Sequence, residues 1–256
     1  MRINTSQFNI QNPAINSWVF LYLSIMKLIR SFFEDLLALF YPNACAVCGE
    51  NLLKEEDTAC TLCLYKTPKT DGFSQQENSV RKLFWGRVQL ENAAALYQFE
   101  KEGSVQKLIY QLKYEGGKST GIFLGKQLGY AIKDCSYFQN IDYIIPIPLH
   151  PKKEKLRGYN QSKYIAKGIQ EILKVKTNNH SLIRTENTDS QTRKKRFSRW
   201  ENMMNSFALK KTKKLQNTHI LLVDDVVTTG ATLEACAQKL LEIEGVKVSI
   251  VTIAVA

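Results

Sequence analysis

Histidine is scarce in this chain. There are three, His150, His180 and His219, and their spacing would not bring them to one metal ion. That argues against a histidine-built metal centre. Long apolar runs are missing too. The stretch Trp18 to Met26 is broken soon after by Lys27 and Arg30, well short of the ~20 residues a membrane-spanning helix needs. No basic segment followed by an apolar run and a small-residue cleavage site marks a secretory leader. There is no internal repeat and no low-complexity tract, which sets aside solenoid and fibrous designs.

Cysteines number six, and four of them form two tight pairs, Cys45/Cys48 and Cys60/Cys63. A secreted disulfide scaffold would scatter its cysteines through a short chain. Confinement of the pairs to one short segment points to a reduced, cytoplasmic setting. Each C-x2-C knuckle can present two thiolates to one ion, and two knuckles complete a tetrahedral site. Cys45, Cys48, Cys60 and Cys63 are therefore the expected ligands of a structural Zn2+. Iron fits the same spacing, and a redox dithiol is the bland alternative. Cys135 and Cys236 stand alone and read as core or surface residues.

Over 256 residues the charge is strongly positive: 35 Lys and Arg against 24 Asp and Glu, a net +11. Polyanions are the natural partners: phosphorylated small molecules, nucleic acid or an anionic membrane surface. With 44% hydrophobic residues the chain can bury a sizeable core. Residues 1–25 lack turn chemistry and a clear period, and read as an extension upstream of a true start at Met26. Residues 26–40 follow as an amphipathic helix, with Leu28, Phe32, Leu36, Leu37 and Phe40 at helical spacing. That stripe suits docking onto the same chain, or peripheral contact with the inner membrane.

Beyond the cysteine segment at 41–68, the polar stretch Pro68 to Asn78 reads as a linker. A strand is predicted where Ala93, Ala95, Tyr97 and Phe99 alternate. Helices are predicted over Ser104 to Tyr114, Ile122 to Lys133 and Tyr159 to Val175, with a strand between them at Asp142 to Pro148. Ser181 to Arg184 reads as a short strand, and the basic stretch Asp189 to Glu201 as a mobile loop or helical hairpin. A strand at Ile220 to Val223, a helix at Gly230 to Glu244 and an almost continuously apolar strand at Val246 to Val255 close the chain. Alternating strands and helices imply an α/β fold with a mostly parallel sheet.

The most informative segment is Ile220-Leu221-Leu222-Val223-Asp224-Asp225-Val226-Val227-Thr228-Thr229-Gly230-Ala231-Thr232. An apolar strand delivers two adjacent carboxylates, a short loop follows, and a helix begins. Ligands of parallel sheets bind at that end of the strands. A helix N-terminus offers unpaired N–H groups and partial positive charge to a phosphate. Gly230 permits close backbone approach, and the threonine hydroxyls add donors. Carboxylates repel phosphate, so Asp224 and Asp225 suit sugar hydroxyls or a bridging Mg2+. A helix-start turn with ordinary caps is the bland reading. Upstream, Lys155 and Arg157 lie between the strand at Pro146 to Pro148 and the next helix, where a second anion could bind.

The segment resembles the 13-residue 5-phosphoribosyl 1-diphosphate (PRPP) signature of type I phosphoribosyltransferases. That resemblance implies that Asp224 and Asp225 engage the ribose hydroxyls and carry the chemistry. Val227, Thr228, Thr229, Gly230, Ala231 and Thr232 would wrap the 5′-phosphate. Lys155 and Arg157 would hold the diphosphate, with Mg2+ bridging it to the ribose. The order of motifs is also similar to the ComF family of competence-associated, phosphoribosyltransferase-like proteins. It runs from the cysteine pairs through Leu108-Ile109-Tyr110-Gln111-Leu112-Lys113-Tyr114 and Pro146-Ile147-Pro148-Leu149-His150. Arg157-Gly158-Tyr159-Asn160-Gln161-Ser162, Gln191-Thr192 and the PRPP loop follow. The family implies a Rossmann-like domain at 80–256 behind a zinc-ribbon-like module, and a role in DNA uptake. Two functions follow from it. One is a PRPP-dependent pentosyl transferase, its sugar site closed by the basic stretch between Arg184 and Phe207. The other is a non-catalytic component of the DNA-uptake machinery, binding single-stranded DNA or competence proteins and retaining the pocket.

Overall fold

The computed structural model describes Tyr22, Ile25, Met26, Leu28, Ile29 and residues 43–114, 117–185 and 206–256. Met1–Ala44 and Cys45–Ala256 form separate compact units. The five described residues from Tyr22 to Ile29 are helical. Most of the helix expected at 26–40, and the basic stretch Asp189 to Glu201 with Gln191-Thr192, lie outside the described residues.

The second unit is built on a five-stranded parallel sheet. Its strands are β1 (Ala93–Gln98), β2 (Tyr143–Pro146), β3 (Lys176–Thr177), β6 (His219–Val227) and β7 (Lys247–Val255), in the order β1-β7-β6-β2-β3. Two further strands, β4 (Leu182–Arg184) and β5 (Phe207–Leu209), pair antiparallel beside it. Among the described residues, five helices accompany the sheet: α3 (Ser104–Tyr114), α4 (Lys118–Lys133), α5 (Pro151–Arg157), α6 (Gln161–Leu173) and α7 (Ala231–Leu241). Two short ones, α1 (Thr61–Lys66) and α2 (Ser79–Lys82), precede them. Among the described residues, no helix is long and apolar enough to cross a membrane.

Two apolar layers sandwich the sheet. Leu108, Leu112, Leu124, Leu128, Ile165 and Ile169 pack on one face with Leu221, Val223, Val251 and Ile253. Leu233, Ala237 and Leu240 of α7 pack on the other with Ile220, Leu222, Val248 and Ile250. Alternate residues of β6 and β7 thus feed opposite layers, as a central parallel strand requires. Each fully buried Leu or Ile contributes about 1.5–3 kcal/mol.

Three local readings change. Ala93 to Tyr97 do not alternate between core and solvent: β1 is buried on both faces through Tyr97. Pro68 to Asn78 is not a free linker. Thr70 N–H donates to the Leu96 carbonyl and Gln98 N–H to that of Pro68, so the segment covers the outer edge of β1 and satisfies its backbone groups. Lys155 and Arg157 do not lie between elements but on a helix of their own, Pro151 to Arg157, with Pro151 in its first turn, His150 Nδ1 accepting from Lys152 N–H, and Gly158 at φ +77° ending it.

The tightest packing lies between α4 and α6. Gly121, Gly125 and Gly129 recur one helical turn apart on α4. A Cβ on Gly125 would lie 2.1 Å from the Ile165 carbonyl oxygen, and one on Gly168 2.1 Å from that of Ile122. The helices therefore touch backbone to backbone, which fixes where α6 begins. Gly125→Val should destabilise the protein by about 1–3 kcal/mol or more in denaturant unfolding; a variant as stable as the parent would contradict this packing.

Candidate functional site

The connections from the sheet define one crevice. β2 leads through α6 outward to β3, while β6 leads through α7 in the opposite direction to β7. β2 and β6 are neighbours, so their carboxyl ends flank a topological switch point, where open α/β sheets bind ligands. Pairing with β2 stops at Val223, whereas β6 continues through Val227. Asp224 and Asp225 thus lie inside the strand rather than beyond it, on the part that outruns β2.

The acid pair is held from several directions. Ser162 Oγ donates to Asp224 Oδ1 at 2.8 Å, and the Asp225 N–H donates to the same oxygen at 2.9 Å. Asp225 Oδ1 accepts from the Val226 N–H at 2.7 Å, and Lys113 Nζ lies 2.9 Å from Asp225 Oδ2. Burial, and then the neighbouring Asp225 charge, raise the Asp224 carboxyl from 3.8 to about 7; the Ser162, Asp225 N–H and Lys113 interactions only partly offset this.

Beyond the acids the chain turns into α7. Asp224, Val226, Val227 and the run Thr228 to Leu233 line a concavity of about 70 Å³. Thr228 and Thr229 are exposed, while Gly230 is buried with φ +75°. A Cβ at Gly230 would meet Phe84 Cε1 at 2.9 Å, so both conformation and space demand glycine. Arg87 braces the loop from behind. Its Nη1 donates to the Thr229 carbonyl at 2.7 Å and to that of Leu83 at 2.9 Å, and its Nη2 pairs with the buried Glu234 carboxylate.

Of the two cations assigned to a second anion, Lys155 is exposed on α5. Arg157 donates to Gln161 Oε1 at 3.1 Å and stacks over the Tyr114 ring at 5.8 Å. The Arg157-to-Ser162 motif serves largely to build the crevice. Tyr159 OH donates to the Leu112 carbonyl, Asn160 Nδ2 to that of Ile147, and Asn160 Oδ1 caps α6. Ser162, Lys113 and Arg87 were missed as site residues. Lys113 lies in a motif read only as a family mark, Ser162 in one read for its cations and helix start, and nothing local singles out Arg87.

The four paired cysteines form one cluster. Their sulfurs lie within 4.8 Å of one another, Cys48 and Cys60 3.9 Å apart. A tetrahedral ion at ~2.3 Å from each sulfur would set them ~3.8 Å apart, so the set could hold a metal. Burial raises the Cys45 thiol, but N–H groups of Cys48, Cys60 and Val47 outweigh it and bring it down to about 6. Cys45 and Ala59 join the core beside Leu108, and Lys107 Nζ donates to the Val47 carbonyl at 2.7 Å. His219 is structural: its Nδ1 and Nε2 contact the Gln139 carbonyl and Ser249 Oγ.

Residues 160–256 match the phosphoribosyl transferase domain. The chain is 31% identical over 137 residues to "DNA utilization protein YhgH" of Escherichia coli K12, covering 52% of this chain and 60% of that protein. It is 30% identical over the same span and shares to "Competence protein F" of Haemophilus influenzae. It is also 34% identical over 99 residues to "Competence protein ComFC" of Bacillus subtilis, covering 39% of this chain and 38% of that one. These matches support a ComF-family, phosphoribosyltransferase-like protein. The chain spans about 60% of the length of the first of these curated relatives. Among solved structures, adenine phosphoribosyltransferase of Saccharomyces cerevisiae aligns at TM-score 0.35 and 16% identity, over 62% of this chain and 76% of that one. Among the described residues, the switch-point crevice and the cysteine cluster are two sites with ligand chemistry.

A carboxyl whose value rises from 3.8 unfolded to about 7 folded takes up a proton on folding, so its contribution to stability falls as pH rises through that window. Asp224→Asn should therefore melt above the parent at pH 8, with the gap closing toward pH 4. An unchanged or reversed gap in a thermal melt series would contradict the burial of that charge.

Proposed function

We propose that the crevice between β2 and β6 binds Mg2+-PRPP, and that the protein acts as a phosphoribosyltransferase-like component of DNA uptake. The carrying observation is the abutment of two unlike halves. Asp224, with Asp225 beside it in β6, lines a concavity shared with Thr228, Thr229 and Gly230 at the start of α7. Hydroxyls are the partners of the first half and a phosphate of the second; one phosphorylated pentose satisfies both. In this reading Asp224 and Asp225 take the ribose hydroxyls, Val227 to Thr232 cradle the 5′-phosphate, and Lys155 and Arg157 face the diphosphate. Mg2+ would neutralise part of the diphosphate charge there, with Asp224 and Asp225 as the acids beside it. A half-buried carboxyl raised to about 7, as that of Asp224 is, also suits proton exchange with a ribose hydroxyl or an acceptor.

The names of the relatives speak of competence and DNA utilization, which supports the placement in DNA uptake. A second reading, single-stranded DNA binding, draws on Tyr110 and Tyr114. They are 56% and 61% exposed, with ring centroids 5.0 Å apart and Arg157 over the latter. Aromatic faces beside cations suit stacked bases. The cysteine cluster is read as a structural Zn2+ site, its four ligands leaving no open position. Reduced thiols of that kind suit the cytoplasm.

Calorimetric titration with Mg2+-PRPP tests the first reading. Each charge-assisted hydrogen bond lost is worth about 1.5–3 kcal/mol, so Asp224→Asn/Asp225→Asn should weaken binding by at least roughly 10-fold. Undiminished affinity in that variant would discard the site. For the metal, Cys48→Ser/Cys63→Ser should lower bound zinc, measured by plasma mass spectrometry, from about one equivalent to near none. Equal zinc in parent and variant would refute the assignment.

A further inference from the structure

The segment Leu108 to Tyr114 marks the family, yet nothing proposed so far uses its one lysine. Lys113 sits in the last turn of α3, and that turn is clamped from two sides. Tyr159 OH donates to the Leu112 carbonyl. Gly117 closes on the same turn, so that a Cβ there would lie 2.4 Å from the Gln111 carbonyl oxygen and 2.5 Å from Leu112 Cα. With its backbone fixed, the Lys113 side chain reaches the crevice. Its ammonium lies 2.9 Å from Asp225 Oδ2, with side chains 24% and 16% exposed.

This contact bears on ligand entry. Asp225 Oδ1 already accepts from the Val226 N–H, so the ammonium occupies the oxygen left for an incoming hydroxyl. A sugar must share that oxygen or displace Lys113. A displaced ammonium, half shielded from water, needs another anion. Arg157 and Lys118 stand over the Tyr114 and Tyr159 rings nearby, and the adjoining carboxyl, Asp224, already accepts from Ser162 and the Asp225 N–H. The ligand itself must supply the new partner.

We infer that Lys113 is an exchange latch: it neutralises Asp225 while the crevice holds no sugar, and moves to a second anionic group of the ligand when sugar hydroxyls take Asp225. The inference rests on the sugar-phosphate reading above and adds to it a rule of selection. A pentose carrying anions at both ends compensates the broken ion pair; a pentose with one terminal phosphate does not. Lys113 thereby separates diphosphorylated donors from simple sugar phosphates.

The test compares Mg2+-PRPP with Mg2+-ribose 5-phosphate by calorimetry on the parent, Lys113→Met and Lys113→Gln. The glutamine variant can still hydrogen-bond Asp225, which preserves the contact should methionine compromise folding. In either variant PRPP affinity should fall about 10-fold or more, as loss of a charge-assisted contact implies. Ribose 5-phosphate should bind as well as to the parent or better, so the preference for PRPP collapses. Equal weakening of both ligands would make Lys113 a structural brace, and equal retention of both a bystander; either overturns the latch. A parent chain that binds neither ligand would instead sink the sugar-phosphate reading, and the latch with it.

Discussion

Two carboxylates on consecutive residues, partly withdrawn from water, repel each other, and much of this molecule is arranged around tolerating that. Unscreened, the repulsion at such range amounts to several kcal/mol at the effective dielectric of a protein surface. Asp224 meets it by retaining a proton near neutrality and by accepting from Ser162. Asp225 meets it through the Lys113 ammonium. Both remedies arrive on helices, α6 and α3, whose positions depend on the sheet and on each other. The glycine-lined contact of α4 with α6 sets where Ser162 stands, and the Tyr159 bond to Leu112 joins the start of α6 to the end of α3.

What could be read from sequence was whatever is local. The strand, the paired acids, the Thr-Thr-Gly turn and the following helix lie within a few residues of one another, and their pattern carries its own chemistry. The cysteine pairs are legible for the same reason. What escaped was long-range: Ser162 meets Asp224 across 62 positions, and Arg87 meets Thr229 across 142. No periodicity reveals such pairs. The linker and loop misreadings have a related cause. Polar composition in Pro68 to Asn78 and Pro151 to Arg157 signals exposure, and an exposed segment can still be ordered by a sheet edge or a proline-started helix. The glycines of α4 were visible as letters, but their meaning requires knowing which helix lies across from them.

The cysteine cluster is not an isolated appendage. Cys45 and Ala59 belong to the same apolar layer as Leu108 and Leu112 of α3, and Lys107 on that helix bonds back to Val47. One helix therefore carries contacts to the metal-type cluster on one turn and to the acid pair on another. A segment too small to fold on its own core gains order from such a cluster, and here that order is shared with the helix bearing Lys113.

The bonds that each acid makes to the next backbone amide carry a further meaning. Asp224 Oδ1 accepts from the N–H of Asp225, and Asp225 Oδ1 from that of Val226. These are short rings, closed by an arm of a single methylene, and they steer the carboxylates along the strand while leaving Asp225 Oδ2 to the Lys113 ammonium. Glutamate, one carbon longer, would close a larger and looser ring and aim its charge elsewhere. Ring size, more than acidity, is what makes this a site for aspartate.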